Sequence, residues 1–182
     1  MNVQYGLSEA MNESGIGYKI FRMNEIAQRR MVDGGQMKYA NISPDEFAKL
    51  KLNKGDILFN RTNGSADHVG KVGMFDLDGD YCFASYLVRV VPDPKKVLPE
   101  FLVLMMGSEQ FRQEALAQAV KSAGQININA TKMRNINVPV PPLPEQKRLV
   151  VQVRKLEQQI ADAQAVIAGA PARKQAILQK YL

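Results

Sequence analysis

Residues Ile136–Val150 read INVPVPPLPEQKRLV, and an apolar heptad follows. The prolines at 139, 141, 142 and 144 forbid helix up to that point, since proline lacks an amide donor and clashes with the preceding turn. Pro144 then suits the first turn of a helix, and Glu145 lies near the positive end of its dipole. Leu149, Val153, Leu156, Ile160, Ala163 and Ile167 recur at spacings of 4, 3, 4, 3 and 4. Val153, Ile160 and Ile167 take heptad position a, and Leu149, Leu156 and Ala163 take d, the pattern of a two-stranded coil. A helix packed on its own domain usually has a wider apolar face. Here the flanking positions carry Glu157, Gln164, Gln152 and Gln159, with Val150 and Val166 as exceptions. The seam therefore calls for a partner helix, and a second copy of the chain would supply one.

The spacing predicts a helix from Pro144 to about Ala168, about 37 Å long. Gly169-Ala170-Pro171 is expected to end it, and a short helix, Ala172–Leu182, to close the chain with Ile177, Leu178, Tyr181 and Leu182 on its apolar side. Upstream the fold class is α+β: a compact mixed domain of several short strands and a few helices. Residues 1–17 read as a mobile lead-in, 18–141 as the mixed domain, and 142–182 as the helical region. Ser43-Pro44-Asp45-Glu46 carries helix-start chemistry. Strands are expected at 18–26, 38–42, 57–59, 71–75, 81–91 and 136–140, with a hairpin turn at Asp78-Gly79-Asp80. A helical stretch, 99–120, should divide at Gly107.

Charge narrows the partners. The net charge is +6, of which residues 141–182 contribute +4 from 7 basic and 3 acidic groups. A basic balance favours polyanions. The lone cysteine, Cys82, excludes an internal disulfide framework and suits a reducing cytoplasm. Its apolar neighbours make it a structural thiol rather than a nucleophile. No apolar run approaches the ~20 residues that span a bilayer, and the polar N-terminal stretch has no signal-peptide core.

Enzymatic readings find little support. Gly15-Ile16-Gly17 is too short for a cofactor-binding glycine loop, and Pro141-Pro142 lacks the Asn/Asp and aromatic flanks of a base-methylating motif. Asp45-Glu46 is explained as a helix start. One histidine, His68, rules out a multi-histidine metal site.

The junction VPVPPLPEQKRLVVQV resembles the boundary between recognition domain and conserved helix in the specificity subunit of type I restriction–modification systems. KGDILFNRTNGSADHVGKVGMF (residues 54–75), GQIN (124–127) and RKQAILQKYL at the end are similar to three further blocks of that family, in the same order. The resemblance implies a domain that reads half of a split sequence in double-stranded DNA, with long helices that pair antiparallel and set the distance between two such domains. It implies no catalytic site and no cofactor in the chain itself. S-adenosylmethionine belongs to the methyltransferase subunits it docks, and restriction subunits join through them. Family members typically have two recognition domains and two helices, whereas this chain has one of each and resembles a half-length form. Two copies about a two-fold axis would read an interrupted palindrome, and a helix of about 37 Å is close to the DNA repeat of about 34–36 Å.

Three segments carry side chains suited to DNA. In Asn60–Lys71, Arg61 suits guanine and Asn63 adenine, Thr62, Ser65 and Lys71 suit phosphates, and Gly64 admits close approach. Gln125, Asn127, Asn129 and Lys132 form a second set, although asparagine also caps and turns. Arg22 and Asn24, after the first strand, form a third. The same residues also suit ordinary surface loops. A rival reading is a structural module that binds no DNA and uses its coiled-coil helix to assemble a larger complex. Salt dependence separates the two, since only a DNA reader loses affinity steeply as salt rises.

Overall fold

The computed structural model describes residues 2–65, 67–122 and 124–181. Met1, Ala66, Ala123 and Leu182 lie outside them, and with Leu182 one member of the expected terminal apolar side.

Among the described residues, three β-sheets organise the domain. In chain order the first strands are β1 (Asn2–Tyr5), β2 (Met11–Asn12), β3 (Tyr18–Phe21), β4 (Ile26–Ala27), β5 (Arg30–Met31) and β6 (Lys38–Ala40). Helix α1 (Pro44–Leu50) follows, then β7 (Ile57–Asn60), β8 (Thr62–Asn63), β9 (Val72–Met74), β10 (Tyr81–Phe83) and β11 (Leu87–Val91). The remainder is α2 (Pro99–Met106), α3 (Glu109–Ala117), β12 (Val120–Ser122), β13 (Gln125–Asn127), α4 (Ala130–Arg134) and α5 (Leu143–Leu178). The largest sheet runs β1-β11-β7-β9-β5-β4, the second β10-β3-β6-β2 and the smallest β12-β13-β8.

Side-chain alternation explains the layering. Along β7, Ile57 and Phe59 enter one core with Val88, Val90, Phe101 and Leu102, while Leu58 enters another with Phe21, Phe83 and Leu87. A strand buried on both faces reads as an unbroken apolar run, as ILF does here. Helices α2 to α4 and the start of α5 cover one face of the large sheet, and the second sheet covers the other. Alternation in the second sheet sends Ile20 and Cys82 outward into a third core under Phe47 of α1. That helix opens on the expected capping box: Ser43 Oγ accepts from Glu46 N, and the Glu46 side chain accepts from Ser43 N.

Four expectations are corrected. The lead-in is not outside the fold. β1 pairs antiparallel with β11, and β2 with β6. Gly6 lets the chain lie against Phe83 and Ala84, where a Cβ would stand 2.3 Å from Phe83 O. Asp78-Gly79-Asp80 makes no hairpin, because β9 and β10 belong to different sheets. Residues 136–140 form no strand; Ile136 instead buries its side chain in the core. Finally, α5 runs unbroken for 36 residues through Pro171, with no separate terminal helix. One internal proline costs about 3 kcal/mol, and the surrounding alanines, the best helix formers, offset part of it. The rod is about 54 Å long, well beyond the expected 37 Å, so its full length does not match one DNA turn.

Candidate nucleic-acid interface

The 60–71 loop and the 122–132 loop, separate in sequence, meet in the smallest sheet. Arg61 breaks β7 from β8: its N–H donates to Tyr86 O at 3.1 Å and its carbonyl accepts from Ile128 N at 2.8 Å. β8 then pairs antiparallel with β13, Ile126 opposite Asn63 and Asn127 opposite Thr62. The alternating polar and apolar residues of QIN make β13 an exposed strand whose Ile126 turns toward the core.

Arg61 is oriented from three sides. Its Nε donates to Ser85 O at 2.8 Å, its Nη1 donates to Asn127 Oδ1 at 2.7 Å, and its guanidinium lies 5.0 Å from the centre of the Tyr5 ring. Thr62 is buried, with its hydroxyl 3.5 Å from Gln125 Oε1. Asn63 Oδ1 accepts from Ser65 N at 2.9 Å, and Ser65 Oγ accepts from Asp67 N at 3.2 Å. Gly64 is exposed at the tip, where an added Cβ would meet nothing closer than Gly124 O at 3.8 Å. The loop's base is held by wholly buried Asn60, whose Nδ2 donates to His68 O at 2.8 Å. Exposed Lys71 places its Nζ 2.8 Å from His68 Nδ1.

The third set joins through one contact: Asn63 Nδ2 donates to Met23 Sδ at 2.7 Å. Met23 sits in a 3-10 turn, Met23–Glu25, between Arg22 and exposed Asn24. Arg22 is tied to Glu25 by an ion pair, and its own N–H donates to Glu25 Oε2 at 2.7 Å.

Two other candidates also bond within the domain. Asn129 caps α4, its Oδ1 accepting from Thr131 N at 2.7 Å, and Lys132 Nζ donates to Gln118 O at 3.2 Å. Two residues that the sequence did not single out lie beside the candidates. Tyr5 lies under Arg61 and accepts a hydrogen bond from Ala130 N at 3.0 Å; its alternating context, NVQY, was the available signal. Gln36 is exposed and lines an open groove with Arg22, Lys38 and Tyr39. Its loop is pinned by Asp33, which accepts from Lys19 Nζ at 2.7 Å, Tyr81 Oη at 2.9 Å and Gly35 N at 2.9 Å. The Lys19 ammonium, foremost, holds the Asp33 carboxyl below its ordinary range. No sequence motif announces that loop.

The expected dimer seam divides. Leu149 packs on the domain's own core beside buried Val150, and Val153 is half-buried. Leu156, Ile160 and Ile167 are 58%, 57% and 71% exposed, and Ala163 is exposed as well. Among the described residues no group of histidine, cysteine, aspartate and glutamate is arranged to hold a metal, and no helix is long and apolar enough to cross a membrane.

Residues 7–166 match the family described as type I restriction modification DNA specificity domain. The chain is 30% identical over 153 residues to the type I restriction enzyme EcoKI specificity subunit of Escherichia coli, covering 83% of this chain and 32% of that one. It is 30% identical over 152 residues to the StySPI specificity subunit of Salmonella potsdam, covering 83% and 33%. It thus spans about a third of the length of these relatives. The crystal structure of the HsdS subunit from Thermoanaerobacter tengcongensis has the same fold, with a TM-score of 0.68 at 21% identity, covering 98% of this chain and 41% of that one. The chain therefore belongs to the family of type I restriction–modification DNA specificity domains.

Proposed function

We propose that this chain is the DNA-reading component of a type I restriction–modification complex and that it reads one half of a bipartite target in double-stranded DNA. What supports this reading is that three polar segments distant in sequence meet: β8 pairs with β13, and Asn63 bonds to Met23 between Arg22 and Asn24. Bidentate arginine and amide side chains are the groups that distinguish guanine and adenine in the major groove. Lys71 supplies a phosphate anchor at its edge.

A second copy pairs through the exposed part of α5. Leu156, Ile160 and Ile167 are large apolar side chains in water, and an antiparallel twin helix covers them on both copies at once. Two recognition domains then face an interrupted palindrome. The chain performs no catalysis and needs no cofactor. Methyltransferase subunits that dock on it bring S-adenosylmethionine, and restriction subunits join through them. Such a complex works in the cytoplasm, where the DNA is.

Sequencing of methylated sites in cells carrying the chain with a type I methyltransferase subunit tests this reading. The expected result is one bipartite site with identical, inverted halves. A contiguous asymmetric site would refute it.

A further inference from the structure

The long helix is fastened to the recognition domain at two places. Near its start Gln146, fully buried, accepts from Leu98 N at 2.8 Å and donates to Lys96 O at 2.9 Å and Pro141 O at 2.7 Å. Val150 follows into the core. The second place is Glu157, about 16 Å further along the rod. There Arg29 pairs with Glu157, and Arg154 Nη2 lies 3.5 Å from Glu100 Oε1. The four side chains line one cleft between helix and domain. Contacts from Gln146 to Val153 hold the first turns, and a further hold at Glu157 narrows the direction of the long remainder.

The delivery of Arg29 is unusual. It sits in the tight turn between β4 and β5, where Gln28 and Arg29 have φ of 47° and 60°. Side-chain-bearing residues seldom occupy that left-handed region, and such turns ordinarily take Asn-Gly. The turn is held by Met74 N, which donates to Arg29 O at 3.0 Å. The Arg29 stem crosses Gly107, where a Cβ would stand 2.8 Å from Arg29 Cδ. The glycine that separates α2 from α3 therefore also leaves the path open for Arg29.

We propose that Arg29 and Glu157 form a strut, braced by Arg154 and Glu100, that sets the angle of α5 on the recognition domain and so the spacing between two DNA half-sites. The angle is a property of the single chain; the link to spacing rests on the paired-helix reading above. Leverage makes the strut matter. From Gln146 to Leu178 is about 48 Å, so a swing of about 10° moves the far end by about 8 Å, more than two base-pair steps of about 3.4 Å. Exposed ion pairs add little to stability, so removing this one widens the range of the angle and leaves the fold intact.

The test uses the full chain with spin labels on Lys49→Cys in α1 and Gln175→Cys near the end of α5, diluted with unlabelled chain so that only distances within one molecule are read. Cys82 is buried and stays unlabelled. One narrow distance distribution is expected. Glu157→Gln should broaden it about twofold, as should Arg29→Gln, and the swapped pair Arg29→Glu with Glu157→Arg should restore it. An unchanged width in both single variants would overturn the strut, as would failure of the swap to restore it. The spacing part is read from methylated sites in cells carrying the chain with a type I methyltransferase subunit. Glu157→Gln should keep the half-site sequence and admit more than one spacer length, and a single unchanged spacer length would overturn that part. If the parent chain's sites are not bipartite, the paired-helix reading and the spacing claim fail together, and the labelled chain still decides the angle.

Discussion

Arg61 Nη1 donates to Asn127 Oδ1 across 2.7 Å, joining two segments 66 residues apart. Each side chain holds the other in place before any DNA arrives. Free arginine and asparagine side chains lose rotamer freedom when they bind, and ordering them beforehand lowers that cost.

Coupling between the two should be measurable. Arg61→Ala is expected to weaken specific DNA binding by about 1–3 kcal/mol and to relax preference at one base. Asn127→Ala should cost part of the same energy, because it leaves the guanidinium less constrained. The double variant should then fall short of the sum by at least about 0.5 kcal/mol. Titrations of labelled target DNA by all four proteins, with methyltransferase subunits present, give the cycle. Strict additivity would mean that the two read DNA independently.

Gln146 is the polar residue on which the helix junction turns. Gln146→Leu keeps the volume but leaves Leu98 N–H and the carbonyls of Lys96 and Pro141 without this partner in a buried place. A loss of about 2–4 kcal/mol is expected. Urea unfolding followed by far-ultraviolet circular dichroism measures it.

Much of this was legible in the sequence, and the illegible parts share a cause. The proline junction, the Ser43 cap and the division at Gly107 are local chemistry, fixed within a few residues. The partner of a strand is not local. Nothing in NVQY says that it edges the large sheet, and nothing in YCF and LVRVV says that consecutive strands enter different sheets. Residues 136–140 alternate like a strand but find no neighbour to pair with. The candidate site follows the same rule. Residue types in 61–65 and 125–127 were readable, whereas their junction through β8 and β13 depends on tertiary pairing. Asn129 and Lys132 have residue types suited to DNA, and residue type alone could not show that they also bond to Thr131 and Gln118.

Two buried or bonded carboxylates should respond to acid in opposite senses. The hydrogen bond from Lys19, chiefly, holds Asp33 below its ordinary value of 3.8. Its carboxylate form favours the folded chain, so its contribution is whole above about pH 4 and is lost as pH falls through the lowered value. Burial, chiefly, pushes Asp56 above 3.8, and the Asn53 amide and Arg89 offset this only in part. Its protonated form favours folding, so that contribution is whole below the ordinary value and is lost as pH rises through the raised one. Urea unfolding between about pH 3 and pH 7 should show a shallower acid decline in Asp33→Asn. Asp56→Asn should show a steeper one, since it removes the opposing group.

Burial pushes the Cys82 thiol up to about 12, and its side chain is wholly enclosed. Only the thiolate attacks disulfide reagents, and it is scarce at neutral pH. The folded chain should react with a chromogenic disulfide no faster than it opens, and should react at once in strong denaturant. Fast reaction of the native chain would contradict the burial.

The exposed stretch of α5 makes the most direct claim about assembly. Leu156 and Ile160 stand on one helix face four residues apart, both more than half exposed, while Leu149 and Val150 are already used by the domain. A lysine in place of Ile160 leaves the helix free to form, because lysine is a good helix former and the site touches no core. It places a charge where a twin helix would have to bury it, which is expensive without a partner. The parent chain should therefore run as a dimer in light scattering at micromolar concentration, and Ile160→Lys should run as a monomer with unchanged circular dichroism. Val151→Lys, on the same exposed helix but off the heptad seam, should remain dimeric. If Ile160→Lys stays dimeric while Val151→Lys dissociates, another face of the helix carries the pairing.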